Sequence, residues 1–451
     1  MPQTAPYGSW KSPLCAERAV AAGIGLGDVS FDGDSTLWQE SRPAEKGRNV
    51  LMRRDPDGTL QELMPAPWNA RSRVHEYGGR AYLMHAGVLF FSHFADQRLY
   101  RVDPGQSPRP ITPETALRYA DLCADARRGL LWGVREDHRA GGEPRNTLIA
   151  LQAEGDAEGG RVVAEGQDFY AAPRLCPDGT QLAWLSWKHP DMPWDGCELW
   201  LAEVDDAGRP HGARRLAGSR DEAVQQPLWS PDGRLHFISD RSGWWNLYRL
   251  GRDGVEALCP MEAEFGQPMW NFGLATYGFA STQRLVCSFI SNAVSRLAVL
   301  DTATKALRTI DTPFSSIGNL AVSGERVLFT GASPLQAASV CLLQLGDGRI
   351  ETLRRGSTLD ADPAYSSLPE AIEFPTAGGL SAHAFYYPPR NRDFRAPAGE
   401  RPPLLVMGHG GPTSMAANAY RAGVQYWTSR GIAVLDVNYG GSSGFGRAYR
   451  Q

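Results

Sequence analysis

The stretch Leu404-Leu405-Val406-Met407-Gly408-His409-Gly410-Gly411-Pro412 decides how this chain is read, because it runs an apolar segment straight into a glycine-rich loop. A second apolar run, Ile432-Ala433-Val434-Leu435, comes later, and between the two Ala416, Tyr420, Val424 and Trp427 recur at spacings of four, four and three. Strand, helix-period segment and strand in that order predict one βαβ unit with parallel strands. The small residues of 408–411 let backbone N–H groups turn toward a bound oxygen, the arrangement that stabilises a developing oxyanion.

Further on, Gly440-Gly441-Ser442-Ser443-Gly444 matches the nucleophile-elbow pattern G-x-S-x-G and follows a strand, as that pattern should. In α/β-hydrolases, however, an acid and then a histidine follow the serine. None of Phe445 to Gln451 is Asp, Glu or His. Ser442 is therefore expected to be a loop residue, with the nucleophile, acid and base absent from the chain and lying beyond residue 451.

Before Pro369 the text is one of short strands and turns. Val50, Leu99, Leu148, Leu199, Leu247 and Leu297 recur every 48 to 51 residues, with a looser seventh member at Val340. A unit of that length holds four strands and cannot bury both faces without neighbours, so the repeat predicts an all-β seven-bladed β-propeller. Pro56-Asp57-Gly58, Pro177-Asp178-Gly179 and Pro231-Asp232-Gly233 supply tight turns between antiparallel strands. Most of the tryptophans clustered between 184 and 270 read as blade-to-blade packing. Trp194 and Trp245 are singled out as substrate-binding candidates because they stand in or beside polar loop text, 190–196 and 240–246. The polar, turn-rich stretch 351–370 marks the expected boundary. Residues 1–355 are assigned to the N-terminal segment and propeller, and 356–451 to the truncated start of an α/β-hydrolase domain. There Ala371–Phe374 and Ala382–Tyr387 read as a hairpin around Ala377-Gly378-Gly379.

Composition narrows the function. With 46 basic and 50 acidic residues the net charge is −4, which argues against nucleic acid or an anionic membrane as partner. The seven cysteines are scattered, without C-x-x-C or metal-ligand spacing, and read as reduced thiols. No metal or cofactor is expected. No apolar run approaches the roughly 18 residues of a membrane span, and the N-terminus has no signal-peptide pattern, so a soluble, cytoplasmic chain is expected.

Taken together, the repeats, the H-G-G-P loop and Asp436-Val-Asn-Tyr-Gly-Gly-Ser-Ser-Gly-Phe-Gly446 resemble the prolyl oligopeptidase family of serine peptidases, in its bacterial acylaminoacyl peptidase and dipeptidyl aminopeptidase branch. Arg73-Val-His-Glu-Tyr-Gly-Gly79, Trp187-Lys-His-Pro-Asp-Met-Pro-Trp-Asp-Gly196 and Trp229-Ser-Pro-Asp-Gly233 carry the same resemblance, so that it covers nearly the whole chain. It implies acyl transfer to a serine, assisted by a histidine and an acid, on short peptides or on aminoacyl or acylaminoacyl substrates, with the propeller gating access. It implies that the Gly411 N–H is an oxyanion donor, and that His409 either bonds near that site or fixes its loop. Glu76, with Tyr77 beside it, is the candidate anion for a substrate ammonium, as a buried carboxylate at a loop end; the structural alternative is a pair with Arg73 or Arg80. No Glu-Glu pair occurs anywhere in the chain, which argues against the dipeptidyl peptidase IV type. The competing reading is a non-catalytic propeller binding module with a degenerate hydrolase remnant.

Overall fold

The computed structural model describes residues 2–21, 23–357 and 361–451. Among them, seven four-stranded antiparallel sheets follow one another along the chain, spanning 25–62, 82–110, 117–164, 169–217, 224–257, 277–310 and 316–355. In each, the strands are hydrogen-bonded in sequence order, so short turns suffice to connect them. The recurring apolar positions explain the repeat. Val50, Leu99, Leu148, Leu199, Leu247, Leu297 and Val340 each fall on the third strand of their sheet, and all are buried. Leu130–Asp137 is buried along almost its whole length because a sheet covered on both faces has no solvent side, and so its sequence does not alternate.

Neighbouring sheets are joined through their first strands. In five of these the register slips, between 26 and 29, 120 and 123, 171 and 174, 225 and 228, and 318 and 321. Asp121, Ala172, Gln226 and Asn319 take positive φ there. Such bulges re-aim side chains. Asp121 accepts a hydrogen bond from the Ala172 N–H at 2.6 Å and pairs with Arg174 at 3.0 Å, tying the third sheet to the fourth. Gln226 donates to the Tyr277 carbonyl at 2.8 Å, tying the fifth to the sixth. Strand Gly25–Asp32 packs on strand Ser316–Ser323, and the Arg54–Glu351 and Arg354–Glu40 pairs cross the same seam, so the first sheet meets the seventh. This closure is the arrangement a β-propeller requires.

The eighth four-stranded sheet has the order Glu370–Pro375, Ser381–Tyr387, Ala433–Asn438, Leu404–Gly408; its last pair is parallel and the others antiparallel. The helix between the parallel strands is shorter than the apolar spacing predicts, running only over Ala422–Thr428. Ala416 and Tyr420 lie outside it because their N–H groups are engaged elsewhere, on the Asn438 side chain at 2.8 Å and the Ser333 carbonyl at 2.7 Å.

The N-terminal segment also departs from the assignment of residues 1–355 to a single unit. Gln3–Thr4 pairs in parallel with Phe394–Arg395, and helix Ala16–Val20 packs against helix Ala422–Thr428. Trp10 is buried against Gly431, where a Cβ would lie 3.1 Å from the indole. Residues 3–20 belong physically with the C-terminal sheet.

Candidate active site

Strand Leu404–Gly408 delivers the loop 409–412 to the junction between the C-terminal sheet and the ring of seven sheets. Gly411 sits at φ +73°, a conformation that disfavours any side chain, and a Cβ there would lie 3.2 Å from the ring of Trp270. Its N–H donates to no protein group among the described residues. Tyr439, just beyond strand Ala433–Asn438, holds the loop from below. Its hydroxyl donates to the Gly411 carbonyl at 2.8 Å, and its ring stacks on His409 at a centroid distance of 4.4 Å.

His409 is held on both sides. Nε2 lies 2.7 Å from Ser442 Oγ and Nδ1 lies 3.2 Å from the Tyr439 hydroxyl. Ser442 is fully buried. The contact has the look of a serine–histidine pair, but the second ring nitrogen faces a phenol and the Gly410 carbonyl, where a catalytic pair needs a carboxylate. The arrangement anchors the loop.

On the other side of Gly411 stands Trp270, half-buried, whose indole N–H donates to the Thr413 carbonyl at 2.7 Å. It comes from the connection 258–276, which leaves the fifth sheet and crosses to Gly78, where the Phe272 N–H bonds the Gly78 carbonyl at 2.9 Å. Trp194 packs on Trp270 at 4.3 Å between centroids, and Tyr77 meets it edge-on at 5.4 Å. Trp270 thereby stands between two cavities. One, of about 180 Å³, is lined by aromatic and thioether side chains and by His75. The other, of about 320 Å³, is lined by hydroxyl-bearing and small residues, among them Ser316, Thr330, Ser414 and Ser443, and by Ile290, Ile317 and Met415. His75 is half-buried, with its Nε2 enclosed and without a hydrogen-bond partner among the described residues, and desolvation pushes its pKa down to about 4, so the ring is neutral.

The predicted residues divide. Gly411, Tyr77 and Trp194 come together around Trp270. Glu76 lies beside them at φ +64°, but its side chain is 70% exposed, contrary to the expected buried carboxylate. Arg118 binds it at 3.2 Å and Arg73 approaches at 3.9 Å; Arg80 pairs with Asp121 instead.

Trp245 is not open to a ligand. It is fully buried, and the guanidinium of Arg450 lies 3.9 Å above its ring. Its expected place at the substrate is corrected to a sealed ionic cluster that joins the fifth sheet to the helix Arg447–Arg450. Asp240 accepts from Arg447 and from Arg450, each at 2.6 Å. Glu264 accepts from the N–H groups of Trp245 at 2.8 Å and Gly446 at 3.1 Å. Burial pushes the Glu264 carboxyl up to about 7, against the pull of those bonds and of Arg450.

Trp270 and Tyr439 were not singled out from sequence. Tyr439 stands directly after a predicted strand and before a glycine pair, which is a usable signal; nothing local distinguishes Trp270 from the tryptophans around it that read as packing.

No family model matches the chain. A puromycin-hydrolysing peptidase of Mycobacterium tuberculosis has a similar structure, with a TM-score of 0.93 and 39% identity, over 99% of this chain and 71% of that one. One of two prolyl endopeptidases analysed together shares the fold at 13% identity, with a TM-score of 0.73, over 96% of this chain and 64% of that one. YuxL, an uncharacterized peptidase of Bacillus subtilis strain 168, is 33% identical over 107 residues, which are 22% of this chain and only 15% of that protein.

Proposed function

We propose the following role for this chain, which belongs to the prolyl oligopeptidase family of peptidases: it supplies the substrate-facing propeller and one oxyanion donor of a serine-type peptidase. In this reading the seven sheets are propeller blades that limit access, and residues 356–451 are the start of an α/β-hydrolase domain. Substrates are short peptides and aminoacyl or acylaminoacyl compounds, with puromycin a candidate because a relative is named for hydrolysing it. The seven thiols, all free, favour a reducing compartment such as the cytoplasm.

The observation that carries this reading is the unengaged N–H of Gly411, placed against Trp270 by a loop that Tyr439 and His409 hold fixed. An N–H donor that needs no reorganisation at the moment of reaction stabilises a tetrahedral intermediate. His409 is assigned to holding the loop.

The 451-residue chain alone is expected to hydrolyse neither puromycin nor aminoacyl or acylaminoacyl p-nitroanilides above background, because Ser442 is buried and its histidine has no carboxylate partner. Labelling by a fluorophosphonate probe that disappears in Ser442→Ala would overturn that assignment. The competing reading, a propeller binding module without chemistry, is separated by extending the gene sequence past the codon for Gln451. A frame that runs into G-x-S-x-G and then Asp and His supports the peptidase, and an immediate stop supports the binding module.

Glu76 is assigned to the substrate ammonium. In a preparation with peptidase activity, Glu76→Gln should lower kcat/KM on free-amine substrates about tenfold, or about 1.4 kcal/mol, just under the range for charged hydrogen bonds because the site is exposed. N-acylated substrates should be affected far less. Equal losses on both classes would make Glu76 a structural partner of Arg118.

A further inference from the structure

The turn that carries Glu76 is bonded to a second carboxylate. Glu136 lies on strand Leu130–Asp137 directly opposite Arg118 in the neighbouring strand, and its side chain is only 4% exposed. Three donors converge on it. Oε1 accepts the His75 N–H at 3.1 Å, and Oε2 lies 2.8 Å from His138 Nε2 and 3.1 Å from Arg118 Nη1. Three donors on two oxygens are what an ionised carboxylate accommodates. Arg118 is correspondingly divided. Its Nη1 carries two hydrogens, yet three acceptors surround it: Glu136 Oε2 at 3.1 Å, and Glu76 Oε1 and the Arg73 carbonyl, each at 3.2 Å. The enclosed partner is screened least by water, so it holds the arginine more firmly than the 70%-exposed Glu76 does. Glu76, Glu136 and Arg118 together leave one negative charge, whereas Glu76 and Arg118 alone would leave none. Arg73, half-exposed and 3.9 Å from Glu76, adds little.

We propose that Glu136 is a positioning residue of the amine site: it draws Arg118 off Glu76 and pins the turn, so that a negative charge is left over for a substrate ammonium. Enclosed as it is, Glu136 does not meet the substrate itself. The inference rests on the assignment of Glu76 to that ammonium. His75 and Glu76 both take positive φ, which residues other than glycine keep only where the surroundings hold them. The bond from the His75 N–H to Glu136 is such a hold, and the bond from Arg118 to the Arg73 carbonyl secures the start of the same turn.

Steady-state kinetics in a preparation with peptidase activity, on a dipeptide p-nitroanilide with a free amine and on its N-acetyl form, test the proposal. Glu136→Gln should raise KM for the free-amine substrate about fivefold with kcat within about twofold, because a lost ground-state attraction appears in KM. The acetylated substrate should be nearly unaffected. Adding Arg118→Gln restores the net negative charge and removes the orphaned guanidinium, so the double variant should regain most of the lost affinity. A Glu136 that only supported the fold would lose further affinity in the double variant, and that result overturns the proposal. Equal rises in KM on both substrates overturn it too. Melting temperatures are taken for every variant. Should Glu136→Gln fail to fold, Arg118→Gln alone decides: it makes the site more negative and should lower the free-amine KM, whereas a rise overturns the proposal. Glu76→Gln, measured alongside, separates the two assignments. If it leaves the free-amine preference intact, the ammonium reading fails; if it abolishes that preference and Glu136→Gln does not weaken it, only the role of Glu136 fails.

Discussion

Asp240→Ala should destabilise the folded chain by about 3–5 kcal/mol, the cost of leaving a buried charge without its partner. Asp240 is fully enclosed, accepts from the Ala223 N–H at 2.8 Å, and is the shared acceptor of Arg447 and Arg450. Removing it leaves the Arg450 guanidinium, itself fully buried, with Glu264 at 3.8 Å and the face of Trp245. A cation–π contact of about 2 kcal/mol does not replace a charge-assisted hydrogen bond together with its Coulomb partner. Urea unfolding monitored by tryptophan fluorescence measures the loss. Replacing both partners, as in Asp240→Ala with Arg450→Met, should recover a large part of it, because an apolar filling removes the orphaned charge as well. A loss below about 1 kcal/mol in the single variant would show that water reaches the cluster and that these groups do not fasten the helix Arg447–Arg450 to the fifth sheet.

That cluster also shows where sequence reading runs out. The sevenfold repeat is legible because its signal is local and recurs: a buried Val or Leu on the third strand of each of the seven sheets, and Pro-Asp-Gly at three of the turns. The H-G-G-P loop was legible because it follows a strand. Trp245 was misplaced because a tryptophan in polar loop text looks exposed until Arg450, two hundred residues away in sequence, is laid over its ring. Glu76, expected as a buried carboxylate at a loop end, instead stands exposed at positive φ beside His75, also at positive φ, with its carboxylate on Arg118. The start of helix Ala422–Thr428 failed for a related reason. An apolar spacing of three and four reports which residues share a face, and Ala416 does so while its N–H is bonded to Asn438 in an adjacent strand. Long-range hydrogen bonds decided each of these cases, and no window of local sequence contains them.

The same reasoning separates two adjacent glycines. Gly411→Ala should lower kcat by about 10²–10³ in a preparation with peptidase activity, the loss typical of one oxyanion-hole donor, with KM little changed because the interaction forms with the developing charge. The N–H is not deleted by this change; it is re-aimed. Alanine at φ +73° is strained, by about 1–2 kcal/mol for a left-handed conformation, and its Cβ would press on Trp270 at 3.2 Å. Trp270 has little room to yield, being bonded to Thr413 and packed on Trp194. The loop is the softer side, and it relieves the contact by turning the 411 peptide away from the substrate. Gly410→Ala is the control. A Cβ there meets nothing within 4 Å, and Gly410 is not among the residues of positive φ, so activity should stay within a few-fold of the parent. Steady-state kinetics on one chromogenic substrate decides the matter. Comparable losses in both variants would mean that the loop responds as a whole to any side chain, and a large loss confined to Gly410→Ala would move the donor one residue toward the strand.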